Sequence, residues 1–192
     1  MVSKDLISIW IRNYLSHPLR VGAILPSGNS LSQLMVAQIQ ISSQGYVVEL
    51  GPGTGSFTKA LVNQGIPENR LILIESSKEF VSYLRLIHPF ATVIHGNAED
   101  MEYHVGSIGI RNLEHVVSGI PLVSCGEETR ERICEGVLNL LNPGGSFVQV
   151  TYFGFCPIPL KIISKYKGKR IFSGIAKWNF PPAFVWRIEK PV

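Results

Sequence analysis

The 192-residue chain reads as an α/β domain with a mostly parallel central sheet, helices at its N-terminus and an antiparallel hairpin at its C-terminus. Three observations predict this. Short apolar runs alternate with helical patterns from Tyr46 to Thr151, the signature of strand–helix–strand units. The first of those runs passes directly into a glycine-rich turn, Gly51-Pro52-Gly53-Thr54-Gly55. From Lys161 to Lys190 the pattern fits two antiparallel strands, with Phe180-Pro181-Pro182 between them.

In chain order, Leu6, Ile7, Trp10, Ile11, Tyr14 and Leu15 recur at helical spacing between Ser3 and Ser16, with Lys4, Asp5, Arg12 and Asn13 on the other face, so the segment reads as an amphipathic helix. His17-Pro18 ends it, because a residue before proline is driven out of the helical region. A link from Gly22 to Gly28 leads to a second helix over Leu31–Ile39. Strands are expected at Tyr46–Leu50, Arg70–Glu75, Ala91–His95, His115–Ile120 and Gly145–Thr151, and helices near Ser56–Gln64, Lys78–Ile87 and Thr129–Leu141. Asn142-Pro143-Gly144-Gly145 makes the turn into the fifth strand. Residues 1–44 are thus an N-terminal helical segment, a lid or a membrane contact, and residues 45–192 carry the sheet, in one structural domain overall.

Composition narrows the class. A hydrophobic content of 45% suffices for one buried core. Cys125, Cys134 and Cys156 have no C-x-x-C pairing and no histidine at ligand spacing, so neither a disulfide framework nor a metal site is expected. The N-terminus lacks a secretory pattern, and no stretch approaches the roughly 20 apolar residues of a membrane span. The expectation is a cytoplasmic protein whose membrane association, if any, is peripheral and on the inner face. The net charge of +4 is unevenly spread: past Tyr152 the chain carries Lys161, Lys165, Lys167, Lys169, Arg170, Lys177, Arg187 and Lys190 against Glu189 alone. Such an end suits an anionic partner, lipid head groups or nucleic acid.

The loop after the first strand, Glu49-Leu50-Gly51-Pro52-Gly53-Thr54-Gly55, carries the chemistry. Glycines open backbone angles closed to other residues and let a ligand approach the main chain, so a nucleoside-containing cofactor is expected. The dinucleotide fingerprint G-x-G-x-x-G would need glycine where this chain has Ser56. Glu49 would repel a pyrophosphate but attract a cationic ammonium, which favours S-adenosylmethionine over NAD. Glu75, ending the second strand, is placed to accept the hydroxyl hydrogens of a ribose, or else caps the helix that follows.

These residues resemble the first two cofactor motifs of the class I methyltransferases, which implies a Rossmann-like fold. His95-Gly96-Asn97-Ala98-Glu99 is similar to that family's loop after the third strand, with Asn97 in place of the usual aspartate beside the adenine. Within the class, the chain looks most like bacterial phospholipid N-methyltransferases acting on phosphatidylethanolamine. The likeness is carried by Gly22-Ala23-Ile24-Leu25-Pro26-Ser27, Val117-Ser118-Gly119-Ile120-Pro121-Leu122, Gln149-Val150-Thr151-Tyr152 and Phe180-Pro181-Pro182-Ala183-Phe184-Val185-Trp186. The resemblance implies a cofactor site of Glu49, Gly51, Gly53, Gly55, Glu75, Asn97, Ala98 and Ser118.

Methylating an ethanolamine head group requires loss of a proton before the nitrogen attacks. Tyr152, Glu99 and His95 lie near strand ends on the cofactor side and are candidates for that task, with no base singled out. Tyr14, Tyr152 and Trp186 could receive the methylated cation on a ring face, and Arg20 could pair with the lipid phosphate. Trp10, Ile7 and Ile11 either enter the bilayer interface or pack over the cofactor pocket; periodicity serves both. Two rivals stand beside this reading. An RNA adenine dimethyltransferase would suit the basic tail, but Leu122 follows Pro121 where those enzymes carry a stacking aromatic, so nucleic acid is disfavoured. A non-catalytic membrane module would keep the cofactor as a structural ligand.

Overall fold

The computed structural model describes residues 27–37, 39–179 and 181–192. Its strands are β1 Tyr46–Leu50, β2 Leu71–Glu75, β3 Thr92–His95, β4 Leu113–Ser118, β5 Ser146–Thr151, β6 Lys169–Ala176 and β7 Ala183–Glu189. They form one seven-stranded sheet in the order β3-β2-β1-β4-β5-β7-β6. The first five pair in parallel, while β7 runs antiparallel to both β5 and β6. This is the Rossmann-like architecture, with its C-terminal hairpin, that the sequence predicts.

Helices cover both faces, as a parallel sheet requires. On one side α1 (Ser27–Val36), α2 (Ser56–Asn63) and α3 (Lys78–Ile87) bury Leu31, Met35, Leu61, Val81 and Leu84 against Val47, Leu73, Val117, Val148 and Val185. On the other, α4 (Met101–Ser107), α5 (Glu127–Leu140) and α6 (Leu160–Lys165) close over Val48, Leu50, Ile72, Ile74, Val116 and Phe147 with Met101, Ile133, Val137 and Ile162. Every residue of β2, Leu-Ile-Leu-Ile-Glu, is buried, which explains why it reads as a continuous apolar run.

Several boundaries differ from the sequence expectation. Helix α1 spans Ser27–Val36 rather than Leu31–Ile39: Ile39 is fully buried but follows the helix, so the periodicity counted a core residue that is not helical. Strand β4 begins at Leu113 and ends at Ser118, not His115–Ile120. Its polar Glu114 and His115 have long-range partners that the sequence does not display. Glu114 accepts from the Ser42 amide at 2.8 Å and its hydroxyl at 2.6 Å. His115 Nδ1 meets Ser146 Oγ at 2.8 Å, and its Nε2 meets the Gln40 carbonyl at 2.9 Å. Helices α4 and α6 were not anticipated; at seven and six residues they are too short for a period to emerge.

The N-terminal segment expected over residues 1–44 divides here. The segment expected to form the first helix, with Ile7, Trp10, Ile11 and Tyr14, and also Arg20, lies outside the described residues, whereas α1 is part of the core. Part of the basic C-terminal end is paired or packed within the fold. Lys161 pairs with Glu131 at 2.6 Å, Lys165 with Glu135 at 2.9 Å and Arg187 with Glu189 at 2.8 Å. Lys190 Nζ donates to the carbonyls of Asn139 and Leu141, and Arg170 lies over the Trp186 ring at 5.6 Å. Among the described residues no helix is long and apolar enough to cross a membrane.

If α1 belongs to the core rather than to a detachable lid, Met35, 1% exposed, carries global stability. Met35→Ala should lower the unfolding free energy by about 2–4 kcal/mol in chemical denaturation; an unchanged midpoint would make α1 peripheral.

Candidate functional site

The site is built at the C-terminal edge of the parallel strands, where the backbone ladders run one bond past the strand ends. Gly51 N donates to Ile74 O, Gly119 N to Leu50 O and Gly96 N to Glu75 O, each at 3.0 Å. The three loops leaving β1, β4 and β3 are therefore tied to neighbouring strands at their first residue. Their packing leaves little room: a Cβ on Gly51 would stand 2.9 Å from Ile120 Cγ1, and one on Gly119 would stand 3.1 Å from the Gly51 carbonyl.

Gly53 differs from these. Its φ is +55°, a left-handed angle that side chains adopt at a cost, yet a Cβ there would meet no atom within 4 Å. The position is glycine for its backbone angle, and open space lies beside it. Gly55 then caps α2, completing the strand–turn–helix arrangement that the loop predicts.

Two carboxylates close the site from the same face of the sheet. Glu75, 7% exposed, accepts from Gly53 N at 3.0 Å through Oε2 and from Ser77 N at 2.9 Å through Oε1. A carboxylate offers about four acceptor positions, so both oxygens retain capacity for hydroxyl donors. Glu75 thus also steadies the start of α3, whose N-cap is Ser77, with its Oγ accepting from Phe80 N. Glu49, 1% exposed, accepts from the Thr58 hydroxyl at 2.6 Å through Oε2, while Oε1 is buried with no partner among the described residues. Burial pushes the Glu49 carboxyl up to about 8; the Thr58 bond opposes this, and the nearby Glu75 charge adds to it.

The remaining expected residues fall around this edge to different degrees. Asn97 is exposed and precedes a short helical turn, Ala98–Asp100. Ser118 is fully buried, and its hydroxyl accepts from Ile120 N at 3.3 Å, shaping the turn after β4. Tyr152, Thr151 and Phe153 line a small cleft with Gly119, Pro121 and Leu122 between the ends of β4 and β5. Glu99 and Asp100 both face Arg132, at 3.5 and 3.3 Å. His95 Nε2 meets the Ser76 carbonyl at 3.0 Å. Trp186 is set further from the edge, in register with Gln149 and Phe172, with its ring 5.0 Å from that of Phe172. A cavity of about 420 Å³ between Ile39–Ser43 and Gln64–Pro67 opens at the opposite edge of the sheet and shares no residue with the glycine loop.

The roles of Thr58, Ser77 and Gln149 were not foreseen, although Gln149 lies in a segment that carries the family likeness. Thr58 could have been found as a polar residue in the first turns of a helix following the loop, on its buried side. Gln149, fully buried, donates to the Ile120 carbonyl at 2.8 Å and so fixes the loop after β4; nothing in its local sequence marks that role.

A sheet of this order, with a glycine turn at the end of β1 and a carboxylate ending β2, defines an α/β domain that binds a nucleoside cofactor. Known proteins agree. A protein-family model described as a methyltransferase domain matches residues 48–149. The ornithine lipid N-methyltransferase of Singulisphaera acidiphila is 31% identical over 153 residues, 77% of this chain and 78% of that protein. The N-methyltransferase NodS of Bradyrhizobium japonicum, solved with S-adenosylhomocysteine, aligns over 96% of this chain and 98% of its own with a TM-score of 0.63 at 14% identity. The 1,6-didemethyltoxoflavin N1-methyltransferase of Burkholderia thailandensis, also with S-adenosylhomocysteine, aligns over 97% and 88% with a TM-score of 0.67 at 12% identity; both structures speak for the fold. The chain belongs to the methyltransferase family and is a class I S-adenosylmethionine-dependent enzyme. The residues present fit that cofactor: open space at Gly53, a carboxylate at Glu75 with acceptor capacity to spare, and a buried orphan oxygen on Glu49 suited to a cationic group.

Gly53→Val should remove S-adenosylmethionine binding in calorimetry while costing about 1–2 kcal/mol of stability from the left-handed angle; a folded variant with wild-type affinity would place the cofactor elsewhere. Glu49 supplies a second test, through pH. Between 4.5 and about 8 the folded protein keeps a proton that the unfolded chain has released. The stabilising contribution of that proton is fully present below the lower value and is lost as pH rises through the upper one. Wild-type stability relative to Glu49→Gln should therefore fall across this window, on the order of 5 kcal/mol in total; parallel pH profiles would show that the carboxyl is solvated.

Proposed function

We propose that this enzyme methylates the primary amine of a membrane lipid, and that its acceptor is the ethanolamine head group of phosphatidylethanolamine, in successive steps towards phosphatidylcholine. The observation that carries the reading is the 31% identity, over 77% of the chain, to an ornithine lipid N-methyltransferase. Ornithine and ethanolamine head groups both present an unhindered primary alkylamine, so the chemistry asked of the site is the same. The β4 loop supports a flexible acceptor over a planar base. Leu122 is 1% exposed and packed in the core, so Pro121 is followed by no ring on which a base could stack. We place the enzyme at the cytoplasmic face of the membrane as a peripheral protein.

When bound, S-adenosylmethionine supplies an electrophilic methyl group on a sulfonium. Glu75 accepts from the ribose hydroxyls with the oxygens that Gly53 and Ser77 already orient. Glu49, whose Oε1 is buried without a partner among the described residues, would hold the ammonium of the methionine moiety, and Asn97 with Ala98 would border the adenine. Gly51, Gly53 and Gly55 keep the main chain close to the ligand, and Ser118 holds the β4 turn. Tyr152, in the cleft between the ends of β4 and β5, is the residue we assign to orient the amine for in-line attack. Positioning of this kind supplies much of the rate in a displacement.

Incubation with labelled S-adenosylmethionine and either lipid vesicles or RNA tests the assignment. Label should enter the lipid fraction as methylated phosphatidylethanolamine. Label confined to ornithine lipid would move the acceptor to that head group, and label in RNA alone would overturn the reading.

A further inference from the structure

The hairpin β6–β7 brings a second surface to the cofactor edge. Because β7 runs antiparallel to β5, with Phe184 in register with Thr151, the turn between Ala176 and Ala183 stands beside the C-terminal end of β5. The first loop after β5 leaves from the same edge. Each carries an aromatic in water: Trp178 in the turn is 86% exposed, and Phe155 in the loop is 51% exposed, its ring 5.5 Å from that of Phe153. Single exposed apolar residues are ordinary. Two large rings on neighbouring loops, at the rim of a site that handles a lipid, are not explained by packing.

The turn that presents Trp178 is held by its own bonds. Asn179 N donates to the Ala176 carbonyl at 3.2 Å, and Asn179 Nδ2 to the Pro181 carbonyl at 2.8 Å, so the indole is displayed without supporting the fold. Lys177 beside it is exposed and forms no ion pair among the described residues, unlike Lys161 and Lys165 further along the basic end. Charge divides this edge. Glu99 and Asp100 after β3 are met by Arg132, and Glu127 and Glu128 open α5 after β4, so the positive charge offered to an anionic surface at this edge lies on the side of Lys177.

We propose that Trp178, Phe155 and Lys177 form a docking rim that inserts into the interface of an anionic phospholipid bilayer, turning the cofactor edge of the sheet towards the head groups. This rests on the lipid-acceptor reading above. Aromatic rings favour the head-group level of a bilayer, and peripheral binding is strongest when apolar contact and basic charge act together. The rim lies on the edge where the glycine loop opens, so a lipid would not have to leave the bilayer entirely to reach the site.

The test uses the full chain and vesicles of phosphatidylethanolamine with phosphatidylglycerol, with phosphatidylcholine vesicles as the neutral comparison. Trp178→Ala and Phe155→Ala should each bind the anionic vesicles several-fold less tightly, on the order of tenfold for the tryptophan. Trp178→Leu should recover part of the loss, Lys177→Glu should weaken binding to the anionic vesicles alone, and S-adenosylhomocysteine affinity should stay at the wild-type value in all four. With Trp10→Phe and Trp186→Phe leaving Trp178 as the sole tryptophan, emission should shift to the blue when anionic vesicles are added. Unchanged vesicle binding by the alanine variants overturns the proposal. So does an emission already blue-shifted and shielded from iodide in buffer, since the indole would then be covered by the chain itself or by a second copy. If the wild type labels lipid in detergent micelles and the alanine variants label vesicles equally well, the rim fails while the acceptor reading stands. If the variants lose vesicle binding but wild type labels no lipid, the rim stands and the acceptor reading fails.

Discussion

The contact between the loops after β1 and β4 is the constraint on which the site depends. Gly51 lies so close to Ile120, and Gly119 to the Gly51 carbonyl, that neither loop can carry a side chain at its first residue without moving the other. Bonds to neighbouring strands fix both, and Gln149 reaches from β5 to hold the Ile120 carbonyl. The main chain at Gly53 is thereby presented in a left-handed conformation with open space beside it. The Glu75 carboxylate receives the Gly53 amide only because β2 ends in register with β1.

That arrangement carries an electrostatic cost. Burial of the Glu49 carboxyl, with the Glu75 charge on the same face adding a little, makes the ionised form unfavourable in the free protein, and Glu49 holds its proton to about pH 8. A cationic ligand reverses the balance: it gives the orphan Oε1 a partner and favours the ionised form. On the proposed assignment of the site, a cation beside Glu49 would be favoured over an anion, which would meet the Glu75 carboxylate nearby. The same preference separates the two cofactor classes that a glycine loop alone leaves open.

Much of this was legible in the sequence where the physics is local. The buried run of β2, the Leu50-to-Gly55 turn and the proline-separated hairpin each carry their own signal, because burial on both faces, positive backbone angles and missing amide donors constrain residue type at that position. What escaped depends on distance along the chain. Glu114 and His115 look unlike strand residues until Ser42, Gln40 and Ser146 are seen to satisfy them. Nor does the sequence show that, within the basic C-terminal end, Lys161 and Lys165 stand opposite Glu131 and Glu135. Trp178 sits in a segment whose composition does not say which aromatic faces water. The roles expected of Glu49, Glu75 and Gly53 rest on order and spacing, and the fold adds the hydrogen-bond partners, Thr58 and Ser77, that hold the two carboxylates in place.

Amide hydrogen exchange with and without S-adenosylhomocysteine tests the central claim most directly, because it reads the loop itself rather than a consequence of its loss. The account predicts slower exchange, on ligand addition, in the segments around Gly51–Ser56, Glu75–Ser77 and Gly96–Asp100, with little change elsewhere in the sheet. Protection confined instead to Ile39–Ser43 and Gln64–Arg70, which line the cavity at the opposite edge, would contradict it.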